Sequence, residues 1–361
     1  MRVLVIDDIV DSVKGILDSC DENGWEKKLS GFDEAYSSIM DFDPDVIVLD
    51  WREDAEEVDI GGSILEKIWN ITFRPVILFT ANAAIIDISA KQAKSNMLHI
   101  IEKGDESPVI EYINEISHFS SELSQYRKNM SAALIESLNS IDCLKKEKDL
   151  ESSSVGYILS KRTSSFFDDQ FISELSPSWV QYICPPLSNC LLVCDIIRAK
   201  SLGDELDDVG APEEYKLILT PSCDIYHAPG RVPKVTHVLC AGCYPKEMFH
   251  GIKPTDNLSN SKIDSVMKKL NSGYNENFVP LPGFSNMLPY MTADLKKIEL
   301  IPINQIAPNK AQLTEETTFY RVASICSPFR EQIVWAYMQN SCRPGVPDRN
   351  MKLWAKELLI K

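Results

Sequence analysis

Four short apolar runs near the start of this chain, each closed by a polar residue, limit what it can fold into more than any other feature. Val3-Leu4-Val5-Ile6 runs into Asp7 and Asp8, and Val46-Ile47-Val48-Leu49 runs into Asp50. Pro75-Val76-Ile77-Leu78-Phe79 ends at Thr80, and Leu98-His99-Ile100-Ile101 leads to Lys103. Unbroken apolar runs of this length suit strands buried on both faces, as in parallel sheets. Helix-like segments such as Val10–Cys20 and Ser63–Trp69 lie between them. A weaker strand ends near Ser30-Gly31-Phe32, which makes five. Repeated β-α units of this kind predict a doubly wound α/β domain with a five-stranded parallel sheet. In such a sheet the carboxyl ends of the strands meet at a crevice. Three carboxylates, a hydroxyl and an ammonium are therefore expected in one cleft. That set suits a hard cation beside a nucleophile.

Charge narrows the choice of partners. The net charge is -16, and residues 1–120 hold 10 Lys+Arg against 25 Asp+Glu. A domain so acidic is a poor nucleic-acid binder. The remainder holds 27 basic and 28 acidic residues, so charge decides nothing there. No apolar stretch reaches the roughly 18 residues of a membrane span, and Met1-Arg2 opens no signal-peptide pattern. No membrane partner is expected, and a cytoplasmic location is the default. Ten cysteines scattered through such a chain read as reduced thiols or metal ligands rather than a disulfide framework.

Residues 109–151 lack Pro and Gly. Ile116, Leu123, Met130 and Leu144 share a seven-residue spacing that Ser137 interrupts, and Phe119, Tyr126 and Ala133 share a second. This predicts a long linker helix with a partial coiled-coil seam, either packed on its own domain or pairing two copies of the chain. Glu151-Ser152-Ser153-Ser154 marks the boundary. Residues 155–361 carry nearly all the prolines and short apolar runs at 155–159, 191–197, 215–220, 235–240 and 298–302. Helices are expected near 261–270, 328–340 and 349–360. The pattern predicts an α+β domain built on an antiparallel sheet or small barrel.

The order and spacing of Asp7-Asp8, Asp50, Thr80 and Lys103, each at a strand end, resemble the receiver domain of bacterial two-component response regulators over residues 1–120. The resemblance implies that Asp50 accepts a phosphoryl group from a partner histidine kinase. It implies that Asp7 and Asp8 hold Mg²⁺, with Asp50 and the backbone carbonyl of Arg52. Thr80 would bond one phosphoryl oxygen and Lys103 another. The physics agrees: adjacent carboxylates repel unless a cation sits among them, and phosphoryl transfer needs positioning and charge neutralisation above all. The chain departs from the family at Gly104, where proline is usual, and at Ile100, where an aromatic switch residue is common. The segment Trp51–Gly62 is also long and acidic.

The second half offers two further clusters. Cys223, His227, Cys240 and Cys243 follow a Cys-x3-His-x12-Cys-x2-Cys spacing that suits tetrahedral Zn²⁺. Two alternatives stand beside zinc: small apolar cysteines in a core, or Cys223 as a nucleophile with His227 as its base. Arg321, Arg330 and Arg343 could surround an anionic ligand, and Ser327-Pro328-Phe329 opens a helix. The phrases around Cys223 and over Arg321–Glu331 resemble a poorly characterised bacterial output domain, which implies no activity. No helix-turn-helix with a basic recognition helix is visible, which argues against a DNA-binding output. The expected function is a response regulator relaying phosphorylation through the long helix to a protein- or ligand-binding domain. The alternative is an output enzyme using Cys223 and His227 or the arginines.

Overall fold

The first five strands are β1 (Arg2–Ile6), β2 (Glu26–Ser30), β3 (Val46–Leu49), β4 (Val76–Thr80) and β5 (Leu98–Glu102). In this computed structural model they form one parallel sheet in the order β2-β1-β3-β4-β5. The structure describes residues 1–51, 60–71, 74–81, 83, 86, 97–139, 152–168, 176–200, 209–227, 230–251, 259–342 and 349–359. The three central strands are apolar except for Arg2 and Thr80 at their ends, because both faces are covered. On one face Val3, Val5 and Val48 pack against Ile16 of α1 (Lys14–Glu22) and Val109 and Ile113 of a later helix. On the other, Leu4, Ile47 and Leu49 meet Ile39 of α2 (Ala35–Phe42) and Leu65 and Ile68 of α3 (Ile60–Ile71). Each such side chain, fully buried, contributes about 1.5–3 kcal/mol of transfer free energy. The edge strand β2 reads Glu-Lys-Lys-Leu-Ser and is only partly covered, which explains its weak signal in the sequence.

The long helix expected over 109–151 is interrupted. The structure has α4 (Ser107–Ser117), with Pro108 in its first turn, and α5 (Ser120–Asn139), separated by His118-Phe119; residues 140–151 lie outside the described ones. Serine chemistry accounts for the break. Ser117 Oγ donates to the Asn114 carbonyl at 2.7 Å and Ser120 Oγ to the Ser117 carbonyl at 3.3 Å, so side chains compete for backbone acceptors. α5 is anchored to the same domain: Ser124 Oγ and Arg127 Nη2 both donate to Asp45 Oδ1, at 2.8 and 3.1 Å. The run at 155–159, expected as a strand, belongs instead to α6 (Ser152–Asp168). α6 meets α5 through Ser137 and Thr163, whose hydroxyls are 3.2 Å apart.

Two compact units result, Met1–Gln170 and Phe171–Lys361, a boundary later than the predicted one. The second unit is an eight-stranded sheet. Its strands are β6 (Tyr182–Ile183), β7 (Asp195–Ala199), β8 (Tyr215–Ile218), β9 (His237–Pro245), β10 (Phe278–Leu281), β11 (Met291–Pro302), β12 (Ile306–Ala307) and β13 (Phe319–Ile325). The order is β10-β11-β9-β8-β7-β13-β12, with β6 paired to β13. Every pairing is antiparallel except β12 with β13. This is an α+β unit on a mainly antiparallel sheet, as expected. Its helices are α7 (Ser222–Ile225), α8 (Glu247–His250), α9 (Asn260–Ser272), α10 (Phe329–Ser341) and α11 (Met351–Leu359). Pro328, not Ser327, occupies the N-cap of α10. Among the described residues no helix is long and apolar enough to cross a membrane.

Candidate functional site

Parallel register gathers the strand-end residues. Ile6 pairs with Leu49, and Leu49 with Leu78, so Asp7, Asp50 and Thr80 leave neighbouring strands at the same edge. Lys103 follows β5, and its amide donates to the Thr80 carbonyl at 2.7 Å. The Lys103 ammonium then bridges two carboxylates, 2.7 Å from Asp7 Oδ2 and 2.9 Å from Asp50 Oδ1. The side chains of Lys103, Asp50 and Asp7 are only 17, 16 and 1 % exposed, so water screens this attraction weakly. Thr80 is buried beside them.

The surroundings hold each group in place. Asp7 also accepts the Ile9 amide at 2.8 Å and the Ser12 hydroxyl at 2.9 Å. Asp8 is exposed, with Oδ1 3.4 Å from the Phe32 amide. Burial raises the Asp50 pKa above the usual carboxylate value, against the Lys103 hydrogen bond and charge, while the Asp7 charge adds to the rise. Burial works to lower the Lys103 pKa, but its bonds and attraction to Asp7 and Asp50 outweigh this and hold it above its ordinary value. Ser12 was not foreseen, and an Asp-x4-Ser spacing is too common to have marked it.

The donor set suits a small hard cation. All its atoms are carboxylate oxygens, and two of them already meet on one nitrogen at hydrogen-bond distance. Arg52, whose carbonyl was expected to complete the set, lies outside the described residues. Gly104 takes φ +133°, a conformation closed to the proline usual in the family. Ile100 is 39 % exposed and offers no aromatic ring to switch.

The cysteine cluster does not assemble. Cys240 and Cys243 lie three residues apart on β9, so they face opposite sides of the sheet. Cys240 packs with Ile218, Val238 and Ile301, and Cys243 in the separate core of Leu217, Leu281 and Ala293. Burial pushes both thiols up to about 12. Cys223 and His227 are exposed, and no hydrogen bond joins their side chains; the Cys223 thiol lies 3.6 Å from Asp224 Oδ1. Among the described residues no group of three or more His, Cys, Asp and Glu is placed to hold a metal, the acidic cleft included, and the four residues expected to hold zinc do not come together.

The arginine site is corrected too. Arg321 is wholly buried and bonded to Asp195 Oδ2 at 3.1 Å, the Cys190 carbonyl at 2.5 Å, the Pro308 carbonyl at 2.9 Å and the Ser188 carbonyl. It braces a loop against β7, with Nε and both Nη nitrogens each donating to an acceptor of the protein. Arg330 is paired with its neighbour Glu331, and Arg343 lies outside the described residues.

No protein-family model matches the chain, and no curated protein matches it. Among solved structures it is similar to the N-terminal domain of a response regulator/sensory box/GGDEF protein from Carboxydothermus hydrogenoformans. That match has 19% identity and a TM-score of 0.28, covering 35% of this chain and 98% of the other. It is similar to the response regulator TrrA from Thermotoga maritima in complex with Mg²⁺ and BeF, at 17% identity and a TM-score of 0.27, over 32% and 97% of the two chains. The structure of the histidine kinase ThkA in complex with TrrA gives 18% identity and a TM-score of 0.27, again over 32% and 97%. These matches cover only about a third of this chain. By its strand order β2-β1-β3-β4-β5, with Asp7, Asp50 and Lys103 joined at one edge, the N-terminal unit has the fold of a response-regulator receiver domain, beside a separate C-terminal unit.

Proposed function

We propose that the protein is a response regulator in which Asp50 accepts a phosphoryl group from a histidine kinase in a Mg²⁺-dependent reaction. The observation that carries this reading is the Lys103 ammonium shared by Asp7 and Asp50 at 2.7 and 2.9 Å. One Asp50 oxygen bonds to phosphorus as the phosphorus–nitrogen bond of the donor phosphohistidine breaks, and the freed imidazole nitrogen takes a proton from water. Lys103 stays beside the acceptor and pairs with a phosphoryl oxygen, and Thr80 donates its hydroxyl to another. Asp7 and Asp8 would hold Mg²⁺, which supplies charge neutralisation and orientation. Ser12 and the Ile9 amide keep Asp7 turned toward the site.

The C-terminal unit is then the output, and the cytoplasm is the compartment that fits the role. The α5–α6 pair suits contact with a second copy of the chain. Tyr126, Met130, Leu134 and Leu138 are exposed at four-residue spacing, which places them on one face of α5.

The test is solution mass with Mg²⁺, with and without beryllofluoride, beside an Asp50→Ala control. Beryllofluoride should bind the wild-type protein alone and shift monomer to dimer. Binding without the shift would remove the homodimer. Binding that ignores Asp50→Ala would overturn the phosphoacceptor assignment.

A further inference from the structure

A cavity of ≈ 460 Å³ opens at the β10 edge of the C-terminal sheet, between α8, α9 and the start of α10. Its apolar wall includes Phe249, Val266, Leu270, Leu281, Met291 and Ile333. The volume lies in the range of small-molecule pockets, roughly 300–1,000 Å³. Phe249, Leu281 and Met291 are nearly inaccessible to water and form the floor, whereas Lys246 and Tyr290 are exposed and mark the mouth.

The charge of the lining is one-sided. The chain has 53 acidic residues, yet none lines this cavity among the described residues. Its ionisable groups are Lys246, His250 and Tyr290. The Lys246 ammonium sits 5.4 Å from the centre of the Tyr290 ring, an arrangement that holds the cation at the mouth. Thr292, wholly buried in the lining, has a hydroxyl without a hydrogen-bond partner among the described residues.

We propose that this cavity binds a small organic anion with an apolar body, an aryl or medium-chain monocarboxylate. The body fills the apolar floor, and the carboxylate stays at the rim beside Lys246, where it keeps part of its hydration. A cationic ligand would meet Lys246 with no acid to offset it. A sugar or nucleotide would bury many polar groups against a wall with few partners for them. This goes beyond the receiver reading and holds whether or not Asp50 accepts a phosphoryl group.

The experiment is calorimetric titration of the full chain with naphthalene-1-acetate and with octanoate, each beside its neutral amide. At least one carboxylate should saturate at one per chain and bind tenfold or more tighter than its amide. Lys246→Glu, at an exposed position, should erase that preference. Leu270→Trp, on the outer half of α9, should fill the cavity and remove binding of acid and amide alike. Asp50→Ala should leave binding unchanged, which separates this result from the fate of the phosphoacceptor. Failure of both carboxylates to saturate, equal binding of acid and amide, or a Lys246→Glu protein that still prefers the acid would overturn the proposal.

Discussion

In the N-terminal unit the prominent polar residues meet at one sheet edge, whereas in the C-terminal unit residues as prominent in the sequence are dispersed or spent on packing. Strand direction explains the difference. Parallel strands send every carboxyl end to the same edge, so Asp7, Asp50, Thr80 and Lys103 gather although 96 residues separate the first from the last. Antiparallel neighbours point opposite ways, and a residue in mid-strand is committed to a face. Cys240 and Cys243 therefore part through the sheet, and Arg321 is drawn into the interior by Asp195. Motif spacing implies proximity only when the strand pairing is known.

The largest effect that would break this contrast lies at the buried ion pair. Arg321→Met should cost about 3–5 kcal/mol in thermal or denaturant unfolding of the C-terminal unit, because Asp195 would stay buried without its cation. Adding Asp195→Leu should recover much of that loss. A single variant as stable as wild type would mean that Arg321 is available for a ligand after all. Next come the thiols. Cys240→Ala and Cys243→Ala should each cost on the order of 1 kcal/mol through lost packing. A zinc-selective chelator, with Mg²⁺ kept in excess, should leave the melting temperature unchanged. A drop on chelation would show the two sulfurs sharing a metal.

The smallest effect sharpens the first half of the contrast. Burial gives Asp50 a higher pKa folded than unfolded, so the folded chain binds that proton more tightly. Below the ordinary carboxylate pKa, near 4, both states are protonated and the group is neutral toward stability. As pH rises through the raised folded-state value, ionisation develops a penalty that persists at neutral pH. Asp50→Asn should therefore stabilise the N-terminal unit at pH 7, with the gain vanishing below about pH 4. Destabilisation at pH 7 would mean that Lys103 more than offsets the burial.

The central strands and the cleft were readable in the sequence because burial on both faces writes an unbroken apolar run, and because the acidic residues end those runs. The edge strand β2 was faint because it is only partly covered and opens with Glu26, Lys27 and Lys28 on its two faces. The interruption between α4 and α5 escaped notice because serines, which are neutral in a heptad count, act through hydrogen bonds to carbonyls one turn back. Arg321 looked like a surface cation because nothing in its local sequence announces Asp195, 126 residues away. The cavity beneath Lys246 has no linear signature at all, since its walls come from six separate segments.

One strand has a mechanical meaning. Asp45, which holds Ser124 and Arg127 of α5, precedes β3, and Asp50 follows it. Asp50 and the anchor of α5 are thus the two ends of one extended segment of about 16 Å. Its side chains are buried, and its backbone is bonded to β1 and β4 on either flank. Such a segment is stiff along its length and clamped sideways, like a pushrod in a sleeve. A load applied at Asp50 would reach Asp45 along the backbone and pass to α5 through the two side-chain hydrogen bonds that Asp45 accepts.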